Sequence, residues 1–186
     1  MQFLSKNIWV VFFISELALL LFRRSSKSGS PGRKDRYSLP ILWVITAVSL
    51  SVGGGLVWTQ PWSGTKDQVA LAGLTLFLAG AILRWSAIYQ LGKSFTVDVS
   101  VRSDQQLKTD GLYRWVRHPS YSGFLLIVAG MALGTCRLLS FVVILIPICC
   151  AMFYRISVEE RALAESFGDN YEQYRRKTKR IIPGIY

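Results

Sequence analysis

Histidine occurs once in this 186-residue chain and cysteine three times, at Cys136, Cys149 and Cys150. A single histidine excludes a multi-histidine metal centre, and three thiols supply no paired disulfide framework. Acidic residues are also scarce: 11 Asp and Glu face 22 Lys and Arg, for a net charge of +11. That sign excludes an acidic solvating chain, and a content of 51% hydrophobic residues excludes a disordered one. No strand–helix alternation is present and no glycine fingerprint follows a strand, which leaves no soluble dinucleotide-binding domain. What the sequence has instead is long apolar runs and a mean hydropathy of +0.32, the profile of a membrane protein.

The first run, residues 3–22, is interrupted by Lys6, Asn7 and Glu16 and is long enough to cross ~30 Å of hydrocarbon as a helix. Basic residues follow it and no small-x-small cleavage site comes after it, so it reads as a retained span rather than a signal peptide. Further runs occupy 40–58 and 69–91, the latter containing Arg84. Residues 123–152 are apolar around Thr135-Cys136-Arg137. One helix from 122 to 154 would run ~50 Å, so a hairpin of two short helices is expected. Gly130 and Gly134 form a small-xxx-small pair suited to close helix packing, and Pro147 is placed to kink the last span.

From Arg155 onward, Ile156, Leu163, Phe167, Tyr171 and Tyr174 recur at helical spacing. Arg155 with Glu159, Arg161 with Glu165, and Glu172 with Arg176 form i,i+4 pairs on the other faces. Gly168-Asp169-Asn170 is a candidate break, and Pro183-Gly184 an end. The expected architecture is all-α: a polytopic membrane helix bundle of about five transmembrane helices with a cytoplasmic amphipathic C-terminal helix, in one domain over 1–186.

Charge orients it. The loop after the first span carries six Lys and Arg, residues 92–122 carry five, and the tail from Arg155 carries seven, leaving Lys6, Lys66, Arg84 and Arg137. Five crossings with the N-terminus outside place all three basic segments in the cytoplasm, as the positive-inside rule requires. Lipid headgroups account for these charges, and no recognition-helix or interleaved aromatic pattern supports a nucleic-acid partner. The two unusual polar segments, 92–122 and the tail, then meet on the cytoplasmic side at the mouth of an apolar bundle. Such a place suits joining a water-soluble reagent with a lipid-like substrate.

The densest cluster is residues 111–123, GLYRWVRHPSYSG. Arg114 and Trp115 read as interfacial anchors and Pro119 as the first-turn proline of the fourth span. As a whole the cluster is more specific. Arg117-His118-Pro119-x-Tyr121-x-Gly123, then Glu159-Glu160, then Phe167-Gly168-x-x-Tyr171-x-x-Tyr174, resembles the isoprenylcysteine carboxyl methyltransferase and phospholipid methyltransferase family. Leu91-Gly92-Lys93-Ser94-Phe95-Thr96 and Arg180-x-x-Pro183 look like its bacterial and archaeal members, so the resemblance covers roughly 80–186, a catalytic core preceded by variable spans over 1–68.

The resemblance implies an integral-membrane enzyme using S-adenosyl-L-methionine, in the cytoplasmic membrane of a prokaryote, with the active site and C-terminus cytoplasmic. It implies Arg117, Glu160 and Glu159 at the reacting end, and Leu112, Tyr113, His118, Pro119, Tyr121, Gly123 and Glu160 around the cofactor, with no metal. Transfer from a sulfonium is an in-line displacement, so the protein chiefly positions two reactants and excludes water. A glutamate suits the cofactor's ammonium or ribose hydroxyls, and Arg117 suits a carboxylate clamp. Adjacent helical residues point about 100° apart, so the two glutamates are not equivalent. Glu159 has Arg155 as a surface partner one turn away. Glu160 has none and is expected to face the pocket.

The acceptor stays open between a prenylcysteine-like carboxylate, a lipid amine and a small apolar thiol; a carboxylate is already deprotonated at neutral pH, whereas an amine must lose a proton first. The protein's other expected partners are membrane lipids, with no obligatory protein partner. Two alternatives belong to other classes. Membrane sterol-type reductases share a histidine-aromatic-glycine patch and use NADPH, although with more spans, and a non-catalytic scaffold would bind no soluble cofactor.

Overall fold

The computed structural model describes residues 10, 12–19, 37–56, 66–92, 95 and 106–184. Their regular structure is helical: α1 (12–19), α2 (Ser38–Gly55), α3 (Lys66–Leu91), a 3-10 turn (Gly111–Arg114), α4 (Pro119–Gly134), α5 (Leu138–Phe167) and α6 (Asp169–Lys177). Three of these, α2, α3 and α5, are long and apolar enough to cross a membrane, and α4 is a shorter apolar helix of 16 residues. Most of the first apolar run, and the basic loop after it, lie outside the described residues.

Backbone contact fixes the pairing of α3 with α4. A Cβ on Gly73 would lie 2.7 Å from the Gly130 carbonyl oxygen, and one on Gly80 would lie 2.7 Å from that of Gly123. These glycines lie seven residues apart on antiparallel helices, so a single seam stays closed over one heptad. The expected Gly130–Gly134 pair takes part in this close packing: a Cβ on Gly73 would lie 2.7 Å from the Gly130 oxygen and 3.0 Å from the Gly134 nitrogen, although a Cβ on Gly134 itself would meet nothing. Helix α2 lies on α5, and Phe77, Phe124, Ile127, Met131, Ile144, Ile148 and Met152 fill the core between the layers.

The expected turn at Thr135-Cys136-Arg137 is present, with Cys136 in the left-handed region. The second arm of the hairpin is not short. Helix α5 continues unbroken through Arg155 to Phe167, merging the last span with the start of the tail. No glycine or proline interrupts 148–167, and its Ala, Glu, Arg and Leu residues favour helix, so nothing stops propagation. Pro147 lies inside α5 without ending it. The break falls at Gly168 as expected, with φ +53°, and α6 turns back so that Tyr171 and Tyr174 are buried.

Candidate functional site

Four pieces of chain meet at one end of the bundle: the 3-10 turn and residues 115–118, the start of α4, the last third of α5, and the tail through Ile181. The tail lies along the Arg-His-Pro segment like a short strand, bridging Val116 to Lys179 in parallel. The Arg117 amide donates to the Lys179 carbonyl at 2.7 Å and the His118 amide to that of Arg180 at 3.0 Å. Ser122 Oγ donates to the Ile181 carbonyl at 2.6 Å, and the Tyr174 hydroxyl to the Tyr113 carbonyl at 2.6 Å. Pro119, which has no amide proton to lose, starts α4 directly after His118.

Glu160 is the hub. Its Oε1 accepts from Arg117 Nε at 2.9 Å, and its Oε2 accepts from Arg180 Nε at 3.0 Å and lies 2.9 Å from Arg180 Nη2. The expectation that Glu160 has no ion partner is thus overturned. Its partners come from 43 residues before it and 20 after it, outside the i,i+4 window. Arg117 also spends Nη1 on the Arg175 and Thr178 carbonyls, so its fork ties the tail to the acidic pair. His118 Nε2 is buried 3.4 Å from Glu160 Oε1, and among the described residues it makes no aligned hydrogen bond. The Tyr171 hydroxyl is likewise buried without a hydrogen bond among the described residues.

Glu159 is half-buried and is linked differently. Its Oε2 accepts from the Tyr121 hydroxyl at 2.8 Å; that hydroxyl in turn accepts from Arg155 Nε at 3.0 Å, and Arg155 Nη1 donates to Ser38 Oγ at 2.8 Å. Arg155 therefore reaches Glu159 through a phenol and also ties α2 to the site. In α6, Glu172 pairs with Arg175 at 3.3 Å, i,i+3, in place of the expected Arg176. Burial pushes the Tyr174 phenol up to about 12 and raises Tyr171, where the charge of Glu160 adds to the effect.

Of the remaining expected residues, Leu112 and Tyr113 lie on the 3-10 turn. The Leu112 amide donates to Gln90 Oε1 at 2.9 Å, and the buried Tyr113 hydroxyl donates to the Ala87 carbonyl at 3.3 Å, which fixes the turn to α3. Gly123 faces α3 as part of the packing seam. Arg114 and Trp115 are exposed and stack on each other, as interfacial anchors would. Beside the site, at the α5–α6 corner, an open cavity of about 500 Å³ is lined by Gln106, Leu107, Thr109, Phe167 and Asn170.

Sequence reasoning missed two features. Arg180 was seen only as part of a closing pattern, with nothing to signal its reach to Glu160. Arg84 and Glu16 were noted as polar interruptions of separate spans, yet they form one buried ion pair at 2.6 Å. Two opposite charges within apolar runs were the signal that could have found it.

These features define a class: a helical membrane protein whose polar, arginine-rich site is assembled at one end of its spans. The isoprenylcysteine carboxyl methyltransferase family model matches residues 72–165, and the chain belongs to that family. It is 35% identical over 115 residues to protein-S-isoprenylcysteine O-methyltransferase B of Arabidopsis thaliana, an overlap covering 61% of this chain and 58% of that one. It is 45% identical over 112 residues to the Schizosaccharomyces pombe protein-S-isoprenylcysteine O-methyltransferase, covering 57% and 46%. The chain thus spans about half the length of the curated relatives it matches. A solved structure of the eukaryotic intramembrane Ras methyltransferase of this family superposes with a TM-score of 0.66 over 97% of this chain and 65% of that one, at 23% identity, a likeness of fold. Nothing in these matches supports the reductase or scaffold alternatives.

Proposed function

We propose that this protein is an S-adenosyl-L-methionine-dependent membrane methyltransferase acting on the carboxylate of a prenylcysteine-like acceptor, with residues about 80–186 as its catalytic core. The observation that carries the proposal is the Arg117–Glu160–Arg180 cluster, with the buried His118 Nε2 3.4 Å from Glu160, at the mouth of an apolar bundle. Bound there, the cofactor supplies an electrophilic methyl on a sulfonium. The residues present fit such a ligand: buried polar atoms on His118 and Tyr171 that make no hydrogen bond among the described residues, a half-buried carboxylate on Glu159, and a cavity with an aromatic ring and three hydrogen-bonding side chains.

Each residue then has a definite task. Glu159, joined among the described residues to the Tyr121 phenol alone, receives the cationic end of the donor. Glu160, with both oxygens committed to guanidinium groups, holds Arg117 and Arg180 in place. Arg180 is the more exposed guanidinium, at 27% of its side chain, and orients an incoming carboxylate. A carboxylate acceptor is already deprotonated at neutral pH, so no base is required; a lipid amine would need one. Phe167, Gln106, Thr109 and Asn170 receive the nucleoside end. The distribution of Lys and Arg supports a cytoplasmic site and C-terminus with the N-terminus outside. The resemblance to bacterial and archaeal members supports the cytoplasmic membrane of a prokaryote.

The test is calorimetric titration of detergent-purified protein with S-adenosyl-homocysteine and with NADPH, followed by transfer of a labelled methyl group to an S-prenylated N-acetylcysteine. Binding of S-adenosyl-homocysteine alone, with a base-labile methyl ester formed, is the expected result. NADPH binding or an absence of transfer to any carboxylate acceptor overturns it.

A further inference from the structure

Arg84 lies on α3 and Glu16 on α1, both within apolar helices, with side chains 10% and 2% exposed. Arg84 Nη2 donates to Glu16 Oε2 at 2.6 Å. Its other terminal nitrogen, Nη1, donates to the Ser120 carbonyl at 3.2 Å and to Ser120 Oγ at 3.3 Å, while the guanidinium lies over the Phe124 ring. Ser120 is in the first turn of α4, flanked by His118-Pro119 and Tyr121. The Arg84 backbone is itself at the seam, since a Cβ on Gly123 would lie 2.6 Å from the Arg84 amide nitrogen. The register that pairs Gly73 with Gly130 and Gly80 with Gly123 thus continues to Arg84 and Ser120, where a charged fork takes over from glycine contact.

This is a costly arrangement if stability is its only role. Removing two ions from water is expensive, and apolar residues of similar volume usually serve the interior as well or better. The pair is also incompletely satisfied: Glu16 Oε1 and Arg84 Nε are buried with no hydrogen-bond partner among the described residues. What the fork does specifically is hold the backbone one turn from the reacting residues. Displacing Ser120 would move His118 and Tyr121 with it, and through Tyr121 the link to Glu159. Glu16 neutralises the guanidinium and aims it, although α1 lies outside residues 72–165 matched by the family model.

We propose that Arg84, clamped by Glu16, is a positioning residue that sets the His118-Pro119-Ser120 turn for methyl transfer. The inference rests on the methyltransferase reading for its catalytic consequence, but the positioning itself can be measured without turnover. Three forms are compared in detergent: wild type, the apolar double variant Glu16→Leu/Arg84→Met, and Arg84→Lys. Lysine keeps a charge for Glu16 but cannot bond both partners in the same fork. The readouts are melting temperature, amide hydrogen exchange over 117–122, and kcat and KM with the S-prenylated N-acetylcysteine.

The expected result is a double variant that melts close to wild type, exchanges faster at Tyr121 and Ser122, and loses kcat by about 30-fold with KM for the acceptor little changed, since misplacement by ~1 Å can cost about a hundredfold. Arg84→Lys should show the same split, and it serves alone should the double variant fail to fold. A folded double variant with wild-type exchange and wild-type kcat overturns the proposal, as does full rescue by lysine. If the wild type methylates no acceptor, the functional reading fails, and unchanged exchange in the folded variants would separately refute the positioning.

Discussion

The two adjacent glutamates should fail in different ways when each is made isosteric and neutral. Glu160→Gln removes the charge against which two guanidinium groups are packed, and Arg117 is 7% exposed and Arg180 27%. The amide keeps one acceptor for one arginine and turns donor hydrogens toward the other. Hydrogen bonds to charged groups contribute about 1.5–3 kcal/mol each, and leaving a buried charge without its partner costs about 3–5 kcal/mol. Partial solvent access at Arg180 and retention of one acceptor put the net loss near the lower figure, about 3 kcal/mol. For a chain of this length that is roughly a 6–12 °C drop in melting temperature.

Glu159→Gln, by contrast, weakens one bond to a phenol at a half-buried position, about 1 kcal/mol, or roughly 2–4 °C. Its loss should fall on S-adenosyl-homocysteine affinity, by about tenfold for one charge-assisted contact of ~1.4 kcal/mol. Tryptophan-fluorescence melts in one detergent, paired with calorimetry on each variant, separate the two. A Glu160→Gln protein that melts with the wild type would refute the reasoning, because it would mean the paired arginines are hydrated and the ion cluster contributes nothing. A Glu159→Gln protein with unchanged affinity would remove Glu159 from the pocket.

Arg117→Lys should lower the melting temperature and abolish transfer, since an ammonium cannot serve Glu160 and the carbonyls of Arg175 and Thr178 together; a melt and a labelled-methyl assay check both. Gly80→Leu should prevent recovery of folded protein on size exclusion, because its Cβ alone would lie 2.6 Å from the Ile127 amide nitrogen, whereas Gly134→Ala should be recovered normally. The Tyr174 phenol titrates near 10 when unfolded and near 12 when folded, so the folded state holds its proton more tightly. Stability from this group is complete below pH 10 and is lost as pH rises from 10 through 12. Melts across that interval should fall in the wild type and fall less steeply in Tyr174→Phe.

Much of the bundle was legible because its causes are local. Apolar runs over 40–58 and 69–91 give α2 and α3, Pro119 starts α4, and Gly168 with positive φ stops α5, each a signal contained in a few residues. One local reading failed for want of context, and another was incomplete. The polar residues after Met152 suggested a separate tail helix, but polarity does not end a helix that has no breaker, and α5 runs on to Phe167. The Gly130–Gly134 spacing marked a place of close approach, and Gly73 packs there, but the seam's extension to Gly123 is defined only by Gly80 on the facing helix.

The candidate site shows the same division more sharply. Which residue types gather there was readable from the cluster at 111–123 and the acidic pair. How they are joined was not, because each decisive bond crosses the chain: Glu160 to Arg117 and Arg180, Arg155 to Ser38, Arg84 to Glu16. An i,i+4 argument can pair only residues on one helix, so it assigned Glu159 a partner and left Glu160 alone. Yet the charge on Glu160 had to be met somewhere, since its side chain is 9% exposed at the edge of an apolar bundle. Arg117 meets it with one nitrogen and spends another on the tail carbonyls, so the same guanidinium reports whether the acidic pair and the tail are both in place. Residues 175–181 and the acidic pair therefore share one guanidinium.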